Sequence, residues 1–325
     1  MDKTKVMDLY HRMVKMRKFE EKAGAIFAQG QLAGFLHLYI GEEAVGAGVC
    51  GALNDDDYIV STHRGHGHLI AKGGDVNKIM AELFGKSTGY CKGKGGSMHV
   101  ADFQKGMLGA CGIVGGGIPI GVGAALTIKL RHTSQVAVCF FGDGASNEGT
   151  FLEVLNMAAL WKLPVVFFCE NNGYGVSTAV ERASCTEHIA ERAAGFQVPW
   201  KIVDGNDPLE VYEAVREAAQ YARSGNGPTL VEAKTFRHQG HYSGDPAAYR
   251  PASYLEEAER KDAVARMQKR LMESGVSQDE IERMDQMIAD EIEAAFEFAM
   301  ESEYPDVSEA VTDVYAVDNE RGVIR

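Results

Sequence analysis

The chain has 325 residues, 45% of them hydrophobic and 24% charged, which fits a soluble globular protein with a full-sized core. Lys and Arg total 33 against 46 Asp and Glu, a formal charge of -13 with no basic cluster, so nucleic acid and anionic membranes are poor candidate partners. The six cysteines are scattered without a C-x-x-C pair, which speaks against a disulfide framework or a cysteine zinc site and for a reducing, cytoplasmic setting.

The chain opens on an amphipathic pattern, with Val6, Leu9, Tyr10, Met13 and Met16 spaced for one helix face. This segment lacks the apolar core of a signal peptide, and no later run is long enough to cross a membrane. A Gly- and His-rich stretch follows, from GFLHLYIGEE through DYIVSTHRGHGHLIAKGG to GKGGSMHVADFQKGMLGACGIVGGGIPIGVGAA. So many glycines predict tight loops in which backbone approaches a ligand or other backbone. From Gln135, short apolar runs (QVAVCFF, PVVFFCE, VPWKIVDG, TLVEAKT) alternate with helical segments. Runs of that length bounded by Gly, Asn, Asp and Pro are strands covered on both faces, which predicts an α/β fold with a doubly wound, mostly parallel sheet. Beyond Asp245 the chain is charged and helical, and the reading is one α/β domain over 1–250 with a helical extension, 251–325, packed on it through one face.

The strongest chemical signal is FFGDGASNEGTF, in which a buried strand runs into Gly142-Asp143-Gly144. Open parallel sheets bind ligands beyond the carboxyl ends of their strands, where Asp143 is expected. The next strand ends in Asn171-Asn172-Gly173-Tyr174, and a right-handed crossover sets the two strand ends side by side. A carboxylate from one turn with an amide oxygen and a backbone carbonyl from the other gives an oxygen-only site, which suits Mg²⁺. His63, His66 and His68 alternate, and an extended segment would put them on one face. The sequence shows no cysteine or second histidine cluster to complete a metal site with them. His11, His132 and His188 read as surface residues, and Cys139 and Cys169 as inert core.

These motifs together resemble the alpha subunits of acetoin and 2-oxo acid dehydrogenase complexes. GDG, then one crossover, then NN is similar to the diphosphate-binding motif of thiamine-diphosphate enzymes. GFLHLYIGEEAV, THRGHGHLIAKG, GKGGSMHVAD, GIVGGGIPIGVG, NMAALWKLPVVF and RHQGHYSGDPAAYR carry the likeness in order from Leu9 to Arg250. The resemblance implies the thiamine-diphosphate-binding fold, with Asp143, Asn172 and the Tyr174 carbonyl as Mg²⁺ ligands. It implies backbone from Gly144 and Ala145 beside the diphosphate, Arg64 and Arg237 neutralising it, and Gly112 and Val114 holding the aminopyrimidine. His63 is expected at the cofactor, and His241 and His66 at the reactive centre. A beta subunit is implied as well, supplying a glutamate to the pyrimidine in an α2β2 assembly, since one set of sheet signals leaves little room for a second cofactor-binding domain. A lipoyl-bearing acyltransferase component is the implied acyl acceptor.

The chain departs from the pattern in informative places. His63 stands where many 2-oxo acid relatives carry tyrosine, which favours acetoin, whereas DPAAYR matches the 2-oxo acid members at least as well. Tyr242 follows His241 where regulated pyruvate enzymes have a phosphorylatable serine, although Ser243 lies one position on. The enzyme rival, a nicotinamide-dependent dehydrogenase, fails because GIPIGVG does not supply G-x-G-x-x-G after a strand with an acidic residue about 20 positions on. The non-enzyme rival, a subunit that has lost its cofactor, would lack Asp143, Asn172 or Arg64, and all are present.

Overall fold

The computed structural model describes residues 3–313. Five parallel strands, β1 (Tyr58–Val60), β2 (Ala137–Gly142), β3 (Val165–Asn171), β6 (Trp200–Asp204) and β7 (Thr229–Lys234), form one sheet in the order β1-β2-β3-β7-β6. A two-stranded hairpin, β4 (Tyr174–Gly175) with β5 (Thr178–Ala179), lies off it.

Side-chain alternation explains why both faces of the sheet are covered. Val138, Phe140, Val166, Phe168 and Val231 face one core, shared with α1 (Lys3–Ala28), α2 (Glu43–Ala52), α3 (Gly65–Ala71), α4 (Val76–Leu83) and α8 (Pro208–Arg223). Ala137, Cys139, Phe141, Val165, Phe167 and Cys169 face the other, under α5 (Gly117–Arg131) and α6 (Gly149–Leu160). The doubly wound parallel sheet and the inert cysteines are therefore as expected. One turn of helix, α7 (Val180–Ala183), follows the hairpin.

The glycine-rich stretch differs from its reading as loops. Four α-helices, α2 to α5, lie or begin within it, and α5 shows why: a Cβ on Gly121 would stand 2.3 Å from the Cys139 sulfur. Glycine here lets a helix lie flat on β2, so it marks close packing instead of a turn. The three-residue edge strand β1, hidden in the same stretch, had no periodic signature; its outer side is bonded by Gly106 and Leu108.

Beyond α9 (Ala252–Arg260), the C-terminal helices α10 (Ala263–Glu273) and α11 (Gln278–Glu301) bury Ala263, Met267, Leu271, Ile281, Ile288, Ile292, Ala295 and Ala299 in the first core. Arg17 of α1 clamps Asp262 at 2.8 Å, and Lys86 donates to the Ser302 carbonyl at 2.8 Å. Among the described residues no helix is long and apolar enough to cross a membrane.

Candidate functional site

The carboxyl ends of β1, β2, β3 and β7 open onto one cavity lined by Asp143, Gly144, Ala145, Asn172, Tyr174, Gly175, Arg64, Arg237, His63 and His241, among others. Register accounts for the convergence: Gly142 pairs with Glu170 and Asn171 with Lys234, so the GDG turn, the NNGYG turn and the strand leading to Arg237 leave the sheet at one level. The two turns then touch. An added Cβ on Gly175 would lie 3.1 Å from the Gly144 Cα, and one on Gly144 3.3 Å from the Gly175 Cα. Only glycine at both places lets the backbones approach this closely without displacement.

Asp143 is 4% exposed, and burial pushes its carboxyl up to about 6, with its own backbone amide and the Arg237 charge acting in the other direction. Asn172 donates through Nδ2 to Glu42 Oε1 at 3.0 Å, and its Oδ1 accepts from the Tyr174 amide at 3.2 Å. Burial raises Glu42 to about 7 against the pull of Arg64. Its Oε2 has no hydrogen-bond partner and stands 3.6 Å from Arg64 Nε.

Both arginines are buried and held by carbonyls. Arg64 donates to the carbonyls of Leu38 and, at 2.9 Å, His241. Arg237 reaches the carbonyls of Tyr174 at 3.5 Å and Val176 at 3.2 Å and the hydroxyl of Tyr249 at 2.8 Å. Two fixed guanidinium forks beside a buried carboxylate suit an anionic phosphate group bridged by a divalent ion. The oxygen set of Asp143, Asn172 and the Tyr174 carbonyl is of the hard-donor kind that Mg²⁺ takes.

Most residues singled out from sequence meet in this cavity; two do not. His66 is fully buried in α3, with Nδ1 3.2 Å from Glu20 Oε1 and Nε2 3.0 Å from Ser97 Oγ, away from the cavity. Its expected place at the reactive centre is corrected: because Gly65–Ala71 is helical, His63, His66 and His68 diverge instead of sharing a face. His68 turns beneath the cavity, bonding Ser61 at 2.7 Å and Glu170 at 3.0 Å. Gly112 does not line the cavity either; its neighbours Cys111, Ile113 and Val114 do.

Sequence reasoning passed over Glu42, Glu170 and His37. Glu42 and His37 both lie in GFLHLYIGEEAV, so the signal was present, but nothing linear tied them to residues over 100 positions away. The His37 ring centroid lies 4.7 Å from that of His63 and 5.0 Å from that of His241.

The family described as Dehydrogenase E1 component matches residues 11–308. The chain is 52% identical over 319 residues to the alpha subunit of acetoin:2,6-dichlorophenolindophenol oxidoreductase of Bacillus subtilis (strain 168), covering 98% of this chain and 95% of the relative. The subunit of the same description from Cupriavidus necator is 46% identical over 317 residues, 97% and 95% of the two chains. The pyruvate dehydrogenase E1 component subunit alpha of Zymomonas mobilis is 40% identical over 315 residues, 96% and 89%.

Proposed function

The chain belongs to the dehydrogenase E1 component family, and on that footing we propose that it is the alpha subunit of a thiamine-diphosphate-dependent oxidoreductase that cleaves acetoin. The observation that carries this reading is the contact of the Gly144 and Gly175 backbones, which sets a buried carboxylate and a carboxamide over one cavity between two buried arginines. In this reading Asp143, Asn172 and the Tyr174 carbonyl hold Mg²⁺, and the backbone of Gly144 and Ala145 with Arg64 and Arg237 holds the diphosphate. Val114 and the loop through Gly112 form the seat for the aminopyrimidine. When bound, thiamine diphosphate would supply the carbon nucleophile and the sink for the negative charge of the reaction.

The chain's own part is to bind, orient and handle protons at the mouth. Burial and the nearby Arg64 charge hold the His63 imidazole well below its ordinary range and bring His241 down to about 4. Both rings are therefore neutral at neutral pH and can accept a hydrogen bond from a substrate hydroxyl. His63 in place of tyrosine and the 52% and 46% identical relatives favour acetoin. DPAAYR and the 40% identical relative favour the second reading, pyruvate or a branched-chain 2-oxo acid.

A beta subunit completes the site in an α2β2 assembly, supplying the glutamate for the pyrimidine, and the acyl unit passes to a lipoyl group on an acyltransferase component. Exposed apolar side chains continuing from the cavity rim support a covering partner: Ile113 (73% exposed), Val114, Ile120, Leu152, Met157 and Leu160. Free cysteines and an acidic surface accord with a cytoplasmic enzyme.

The test is reconstitution with the beta subunit and assay with a dye acceptor. Faster turnover of acetoin than of pyruvate is expected, the reverse selects the second reading, and full turnover by the isolated chain overturns the two-subunit site.

A further inference from the structure

The Thr235 amide donates to the Asn171 carbonyl at 3.0 Å, continuing the ladder between β3 and β7 past its last paired residues, Asn171 and Lys234. Two residues further in the same parallel register, the Arg237 amide would meet the Gly173 carbonyl. That bond is missing. Gly173 takes φ +86°, and its carbonyl accepts from the Val180 amide at 2.9 Å instead. The two chains therefore part where one carries the Asn172 turn and the other carries Arg237.

A single hydroxyl spans the gap. Tyr254, in the first turn of α9, accepts from the Arg237 amide at 2.9 Å and donates to the Asn172 carbonyl at 2.9 Å. It spends a lone pair on one chain and its proton on the other, as a splice in the broken ladder. Packing fixes the ring that carries it. Tyr174 and Phe236 meet it edge to face with centroids 5.4 and 5.3 Å away, and the Arg250 guanidinium lies 5.0 Å from its centre. Tyr254 is not among the residues lining the cavity that holds Asp143; it reaches the Asn172 turn from a separate hollow, which it lines with Gly173, Phe236 and Lys261.

We propose that Tyr254 is a positioning residue for cofactor binding, its hydroxyl setting the separation between the Asn172 turn and Arg237. The helical extension thus takes part in the site as well as in the core. This inference rests on the thiamine-diphosphate reading, in which the Asn172 turn holds Mg²⁺ and Arg237 holds the diphosphate. The guanidinium also touches the turn, at 3.5 Å from the Tyr174 carbonyl and 3.2 Å from the Val176 carbonyl. Those contacts involve the very group that a diphosphate would share, whereas the Tyr254 bridge fastens the backbone and leaves the guanidinium free to bind. Tyr254→Phe keeps the ring but strips the Arg237 amide and the Asn172 carbonyl of this partner, so the two chains can separate or take up water.

The test is calorimetric titration of thiamine diphosphate, at saturating Mg²⁺, into the chain assembled with its beta subunit, for the parent and for Tyr254→Phe. Affinity should fall by about 10- to 100-fold, as when a metal ligand loses the group that orients it. At saturating cofactor, kcat and the KM for whichever of acetoin and pyruvate turns over faster should stay within about twofold of the parent. His66→Leu is the control for stability, since a variant weakened away from the cavity should bind the cofactor as the parent does. Hydrogen exchange in the unaltered assembly decides the matter should Tyr254→Phe fail to assemble: cofactor with Mg²⁺ should slow exchange at residues 253–257 of α9 and leave 283–298 of α11 unchanged. Equal affinity in Tyr254→Phe, an equal loss in His66→Leu, a kcat that falls while affinity holds, or exchange in α9 indifferent to the cofactor would each overturn the role of Tyr254. A parent that binds no thiamine diphosphate with Mg²⁺ present would instead overturn the thiamine-diphosphate reading, and this inference with it.

Discussion

The side-chain amide of Asn172 donates to Glu42 across 3.0 Å, and this bond between residues 130 positions apart fixes which way the amide faces. With Nδ2 committed to Glu42, Oδ1 is held toward the NNGYG turn, where it accepts from the Tyr174 amide. Glu42→Ala should therefore weaken Mg²⁺-dependent thiamine-diphosphate binding by about 10- to 100-fold, the usual effect of losing the group that orients a metal ligand. Glu42→Gln, whose carbonyl can accept the same bond, should retain most of the affinity. Calorimetric titration of both variants checks this, and equal affinity in Glu42→Ala and the parent would show that Glu42 does not orient the amide.

Gly175→Ala tests the contact between the two turns. Its Cβ would sit 3.1 Å from the Gly144 Cα, so the backbones must part by a few tenths of an ångström. Cofactor affinity should fall several-fold, while the unfolding midpoint in urea moves little because neither turn belongs to the core. An unchanged affinity would mean that the close approach has no part in holding the ligand.

His66 offers the opposite signature. His66→Leu leaves the buried Glu20 and the half-buried Ser97 without their imidazole partner, which should cost about 1–3 kcal/mol of stability. The KM and kcat of the folded, assembled enzyme should stay near those of the parent. A collapse of kcat at undiminished stability would return His66 to the reactive centre.

The clamp between α1 and α10 makes stability depend on acid. Burial pushes the Asp262 carboxyl up, but Arg17 at 2.8 Å and the Ala265 amide at 2.9 Å more than offset it, holding the group below the ordinary carboxylate range. With the folded value below the unfolded one, its contribution is present above about pH 4 and is lost as pH falls through the folded value. Urea unfolding should show Asp262→Asn less stable than the parent at pH 7, with the difference closing toward pH 2. A constant difference across that range would contradict the assignment.

Much of this arrangement was legible in the sequence because it is local. The strand runs around Cys139 and Cys169, the turns at Asp143 and Asn172 and the helix through Met13 all declare themselves within a dozen residues. The rest depends on distance or on packing. Gly121 reads as a loop former until Cys139 is seen beneath it, and His66 reads as a site residue until Gly65–Ala71 proves helical. His37 and Glu42 acquire meaning only when the fold carries them to His241 and Asn172.

The central claim is that Asp143 would hold the Mg²⁺ ion that binds with the diphosphate of thiamine diphosphate. Titration of the cofactor with and without Mg²⁺ into the chain assembled with its beta partner, for the parent and for Asp143→Ala, tests it most directly. The account predicts Mg²⁺-dependent binding in the parent and none in a variant that unfolds at the same urea concentration. Equal, Mg²⁺-dependent affinity in both proteins would contradict it.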